Sequence, residues 1–201
     1  MTSGFTAIKA RGYVEMQRDG KGDRVLFQAL IDHQKRLYAE IKQMGVLGLV
    51  FAYAPGQSTL VIPKEKKAIY MQSQFPLVVL QDSKISDDFL FSVLLYDFSD
   101  LFAQTKYIKT EKHLRWYEDA GKTRLALDAH TGQLKKVYLL DQDVQVTFGP
   151  LRQNMNFPSI IDIQEGDNKI RWVWKQIDDQ TKIPDAWFEV DIPSNFVVEE
   201  Q

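Results

Sequence analysis

Alternation with a period of two, in runs short enough to be single strands, is the feature that most limits what this chain can fold into. From Ile8 to Met16 the residues Ile8, Ala10, Gly12, Val14 and Met16 fall on one side, while Lys9, Arg11, Tyr13 and Glu15 fall on the other. That is a strand with one greasy face. A turn around Gly20 and Gly22 leads into a second run from Arg24 to Ile31, and Asp32 to Lys35 is polar enough to turn again. Leu37, Ala39 and Ile41 then alternate with Tyr38, Glu40 and Lys42. Leu49 to Ala54 and Thr59 to Ile62 form a hairpin around Ala54-Pro55-Gly56-Gln57, and Pro63 to Lys67 turns into a strand at Ala68 to Met71. After Tyr107 the alternation resumes in His113–Tyr117, Thr123–Leu127, Leu134–Leu140, Gln145–Phe148, Ser159–Ile163, Lys169–Ile177 and Trp187–Ile192. About a dozen short strands joined by short turns predict one mostly antiparallel β domain over residues 1–201.

The period changes once. Ser86 is a helix N-cap with Asp87 and Asp88 in the first turn, where carboxylates suit the positive end of the helix dipole. The spacing predicts a helix from Phe89 to Phe102, between the two meanders. It is apolar nearly all round, and such a helix must be covered on more than one side, by protein or by ligand.

Several classes of function drop out. The formal net charge of −2, from 25 basic and 27 acidic residues, gives no basic stripe for nucleic acid. There is no cysteine, hence no disulfide, no thiolate metal site and no cysteine nucleophile. No run reaches the roughly 18 apolar residues of a membrane-spanning helix, and Met1 to Gly12 lacks a signal-peptide core.

Chemistry is sparse. His33, His113 and His130 are far apart in sequence, without metal-ligand spacing, and read as exposed turn or strand residues. The pairs Asp87-Asp88, Asp178-Asp179 and Glu199-Glu200 read as a helix start, a turn and a terminus; adjacent strand residues face opposite ways, which suits no acid–base pair. Nucleophile-elbow, dinucleotide and P-loop motifs are missing. No catalytic residue, metal site or cofactor is expected. Lys64-Glu65-Lys66-Lys67 reads as a solvated turn, or as a weak contact for anionic lipid headgroups. Trp116, Trp172, Trp174 and Trp187 read as core first; Trp172 and Trp174, two residues apart, share a face and could line a cavity together. The turn Met44-Gly45-Val46-Leu47-Gly48 resists a bland reading, because turns are normally polar. It either tucks under a neighbour or protrudes towards a membrane or a greasy partner.

The stretch Arg36-Leu37-Tyr38-Ala39-Glu40-Ile41-Lys42-Gln43-Met44-Gly45-Val46-Leu47-Gly48, followed by Ala54-Pro55-Gly56-Gln57-Ser58-Thr59-Leu60, resembles the LolB outer-membrane lipoprotein receptors. Ala10-Arg11-Gly12-Tyr13-Val14 resembles that family's first strand. Asn156-Phe157-Pro158-Ser159-Ile160-Ile161-Asp162-Ile163 and Ile170-Arg171-Trp172-Val173-Trp174 are similar to its last hairpin. The ending Phe188 to Val197 is similar to the related LolA carriers. The resemblance spans most of the chain at the level of pattern. It implies a strongly curved, unclosed antiparallel half-barrel whose concave face holds acyl chains beneath a helical lid. It further implies that Met44, Val46 and Leu47 protrude as a membrane-contact loop and that the Phe89 to Phe102 helix, with Phe89, Leu90, Val93, Leu94 and Leu101, forms part of the lid; Trp172 and Trp174, on one strand face, are candidates for the cavity wall.

The expected function is non-enzymatic: binding the acyl chains of lipoproteins and taking part in their transport to, or insertion into, the bacterial outer membrane. Expected partners are acylated lipoproteins or lipid, the membrane surface and a periplasmic carrier protein, for a monomer in the periplasm or at the periplasmic face of the outer membrane. The anchoring cysteine of LolB has no counterpart, so either the anchor lies outside this sequence or the chain is a soluble, carrier-like relative. The rival reading is a structural or protein-interaction β module with a filled core.

Overall fold

The structure, a computed structural model, describes residues 6–18, 21–43, 46–72, 85–152, 155–180 and 183–200. Six strands come first: β1 (Ala7–Arg18), β2 (Lys21–Asp32), β3 (Leu37–Gln43), β4 (Val46–Ala54), β5 (Gln57–Ile62) and β6 (Lys67–Gln72). Two helices follow, α1 (Asp87–Leu95) and α2 (Ser99–Ala103). Then come β7 (Lys106–Glu111), β8 (Leu114–Asp119), β9 (Thr123–Asp128), β10 (Leu134–Leu139), β11 (Val144–Phe148), β12 (Ile160–Glu165), β13 (Asn168–Gln180) and β14 (Val197–Glu200). All belong to one mostly antiparallel sheet in the order β14-β6-β5-β4-β3-β2-β1-β13-β12-β11-β10-β9-β8-β7, unclosed because β14 and β7 are its ends. β14 runs parallel to β6. The predicted alternation therefore produced the predicted class of sheet.

The chain forms two compact units, residues 5–14, 24–82 and 174–201 in one, and 1–4, 15–23 and 83–173 in the other. In the first, which holds β3 to β6, both faces of the sheet are apolar. Ile8, Ala10, Phe27, Ala29, Ile31, Leu37, Phe51, Tyr53 and Ile69 are buried on one face, since side chains alternate along each strand. Leu30, Val50, Val61 and Ala68 are buried on the other, against Ile183, Phe188, Val190, Ile192 and Phe196. This covering segment corrects the expectation of a strand at Trp187–Ile192. Asp185–Phe188 is a turn of 3-10 helix and no sheet pairing follows until Val197. The alternation there is real, but it aims Phe188, Val190 and Ile192 down onto a sheet face instead of placing them in the ladder, and Pro184 and Pro193 bracket the segment. Arg36 pins it. Its guanidinium donates to Asp32 at 2.6 and 2.9 Å and to Asp185 at 2.6 Å, and lies 4.3 Å from the Phe188 ring centroid.

In the second unit, Leu125, Leu127, Val137, Val144, Val146, Phe148, Ile161 and Ile163 form the buried face. The opposite face is mixed: Trp116 and Tyr138, ring centroids 6.0 Å apart, share it with the cross-strand pairs Arg124–Glu118 and Arg171–Asp162, each at 2.6 Å. The single helix expected from Phe89 to Phe102 is two. Tyr96 adopts a left-handed conformation (φ 52°) that caps α1, and Asp97 accepts hydrogen bonds from the backbone and hydroxyl of Ser99, starting α2.

Candidate functional site

α1 begins where Ser86 accepts a hydrogen bond from Phe89 N at 3.3 Å, with Asp87 and Asp88 in its first turn. Phe89, Leu90, Phe91, Val93, Leu94 and Leu95 are all buried. At about 100° per residue these positions cover roughly 240° of the helix circumference, leaving Asp88 and Ser92 as the polar stripe. Beneath the helix end lies an aromatic cluster: Tyr96 and Phe98 stand 5.1 and 5.5 Å from Phe148, and Tyr96 stands 6.2 Å from Phe157. The Tyr96 phenol donates to the carbonyl of Leu134 at 3.1 Å, and burial pushes its pKa up to about 12. Leu101, on α2, is half-buried, and its neighbour Phe102 packs 4.9 Å from the ring of Tyr117.

Trp172 and Trp174 are both buried on β13. Trp172 is in register with Ile161, and Trp174 meets the edge of Phe27 at 5.1 Å.

The β3–β4 connection divides the residues that the sequence groups together. Met44 lies outside the described residues. Val46 opens β4 and is 70 % exposed. Leu47 is half-buried and packs on Val50, Val61 and Ala68. The register explains the difference: Leu49 pairs with Ile41 and Leu47 with Lys42, so Gly48 is an extra residue. Such a bulge turns Leu47 to the face opposite Leu49, where strict alternation would have put them together. Leu26, across from Lys42 on β2, is 50 % exposed and adds an apolar side chain to this end of the sheet. It shares a face with Leu30, four pairs along the strand.

Among the described residues, two grooves lie on the sheet surfaces. One, of about 340 Å³, is lined by Lys9, Gln28, Leu30, Tyr38, Trp187 and Glu189. The other, of about 230 Å³, is polar, with Gln145, Thr147, Asp162, Lys169 and Arg171 around it. Among the described residues no three metal-ligating side chains converge, and no helix is long and apolar enough to cross a membrane.

Neither a protein-family model nor a curated protein matches the sequence. Solved structures do match its fold. A domain described as an outer membrane lipoprotein-sorting protein from Vibrio parahaemolyticus superposes with a TM-score of 0.58 at 13% identity, covering 92% of this chain and 90% of that one. A DUF1329 family protein from Desulfovibrio piger gives 0.61 at 12% identity over 92% and 90% of the two chains. The LolA superfamily protein NE2245 from Nitrosomonas europaea gives 0.60 at 9% identity over 93% and 91%. The chain has a LolA/LolB-like fold.

Proposed function

We propose that this chain binds the acyl chains of lipoproteins in a greasy interior and takes part in carrying them to, or inserting them into, the outer membrane, without covalent chemistry. The observation that carries this reading is the end-to-end likeness, over about nine-tenths of both chains, to a lipoprotein-sorting domain and a LolA superfamily protein. In this reading residues 1–201 act as one lipid-binding domain. Phe89, Leu90, Val93, Leu94 and Leu101 form the lid, Trp172 and Trp174 the wall, and Met44, Val46 and Leu47 the membrane contact. Burying acyl surface yields roughly 25 cal/mol per Å². A lid that opens transfers the chains to whichever site binds them better. The working place is the periplasm or the periplasmic face of the outer membrane, and the partners are acylated lipoproteins, the membrane surface and a periplasmic carrier.

Titrating delipidated chain with a fluorescent fatty-acyl probe tests the reading. Saturable binding that competing fatty acid displaces supports it, and a linear, non-saturable signal overturns it. One observation favours a second reading. The rings of Tyr96, Phe98, Phe148 and Phe157 pack against one another at the end of α1, as expected for an interaction module with a closed core.

A further inference from the structure

His113 and His130 are far apart in sequence, yet their ring centroids lie 5.7 Å apart, tilted by 34°, on two adjacent turns of the second unit. Both side chains are exposed. The turns are clamped together: Ala129 N donates to the carbonyl of His113 at 2.8 Å, and Arg115 Nη2 donates to the carbonyl of Ala129 at 2.8 Å. The carboxylate of Asp128 holds the second turn by accepting from the backbone N–H groups of His130 and Thr131, at 3.0 and 2.8 Å.

The first turn is strained. Lys112 and His113 both have positive φ, 49° and 66°, in a two-residue hairpin that ordinarily uses Asn-Gly to avoid the cost. Imidazole pairs suit borderline divalent ions such as Ni²⁺, Cu²⁺ and Zn²⁺. A metal bonded to one nitrogen of each ring, at 2.0–2.1 Å, would stand about 3.2 Å from each centroid. Rings 5.7 Å apart then subtend about 125° at the ion, within reach of tetrahedral or trigonal geometry.

We infer that His113 and His130 form a two-imidazole site for a divalent first-row transition ion, with water completing the coordination. The clamped turns pre-organise the pair. The site is independent of acyl binding.

The experiment is calorimetric titration of the tag-free full chain with NiCl₂ at neutral pH, with imidazole proton resonances followed by NMR. One saturable site is expected, with paramagnetic broadening confined to His113 and His130. Outer-shell changes alone cost metal sites tenfold or more, so His113→Asn and His130→Asn should each weaken binding by at least about tenfold. Asparagine tolerates positive φ, which keeps the hairpin of the His113→Asn chain folded. His33→Asn should leave binding unchanged. Non-saturable binding, unchanged affinity in the His113 and His130 variants, or an equal loss in His33→Asn would overturn the inference.

Discussion

The phenol of Tyr96 donates to the carbonyl of Leu134 at 3.1 Å, fastening the left-handed cap of α1 to the first residue of β10. The tether ends α1 and fixes the helix to the sheet beneath it. Burial raises the phenol to about 12, while an unfolded tyrosine titrates near 10. Between those values only the unfolded chain ionises, so the stability that the neutral phenol supports is intact below pH 10 and lost as pH rises towards 12. Tyr96→Phe should remove that part of the alkaline slope, worth roughly 2–3 kcal/mol. At neutral pH it should cost about 1 kcal/mol for the lost hydrogen bond. Urea unfolding of both chains from pH 7 to 12 measures this.

Ser86 caps the other end of α1. Ser86→Ala should cost about 1 kcal/mol, felt first in α1. Amide exchange should quicken in residues 89–95 while the β9–β11 amides keep their protection; uniform acceleration would show that α1 does not open separately.

Val46 and Leu47 should respond differently to charge. Val46 is exposed, so Val46→Glu should change stability by less than about 0.5 kcal/mol while weakening transfer of an acylated peptide to liposomes. Leu47→Glu forces a carboxylate onto Val50, Val61 and Ala68 and should destabilise by about 2 kcal/mol or more. Chemical denaturation with a liposome transfer assay checks both. Unchanged transfer by Val46→Glu removes this end of the sheet from membrane contact.

Arg36 and Asp185 should be unequal although they are paired. The Asp32 side chain is 8% exposed and Asp185 is 84% exposed. Arg36→Ala strands a buried carboxylate and should cost about 2–4 kcal/mol. Asp185→Ala removes an exposed pair and should cost less than about 1 kcal/mol. Thermal unfolding of the two variants, read against wild type, gives the comparison.

The strands were legible because one-sided burial imposes a period of two, and Ile8, Ala10 and Val14 are buried as that period requires. What stayed hidden depends on partners distant in sequence or on single backbone angles. Tyr96 breaks the helix through a left-handed φ that an aromatic residue rarely adopts, so no local signal marks the break between Leu95 and Ser99. Phe188, Val190 and Ile192 alternate like a strand, but the face of the sheet takes their side chains before an edge can take their backbone. β7 escaped notice because all six of its residues are exposed, leaving no apolar face for alternation to reveal. At the apolar turn only the register at Gly48 separates exposed Val46 from packed Leu47, and no local pattern announces such a bulge.

Entry of acyl chains beneath α1 is testable by photo-crosslinking. The chain is loaded with a fatty acid carrying a terminal diazirine, irradiated, digested and mapped by mass spectrometry. Saturable adducts are expected on Phe89, Leu90, Val93, Leu94, Trp172 or Trp174, lost on competition with unlabelled fatty acid. Adducts confined to exposed residues such as Trp187 and Val198, or labelling that competition does not reduce, would contradict it.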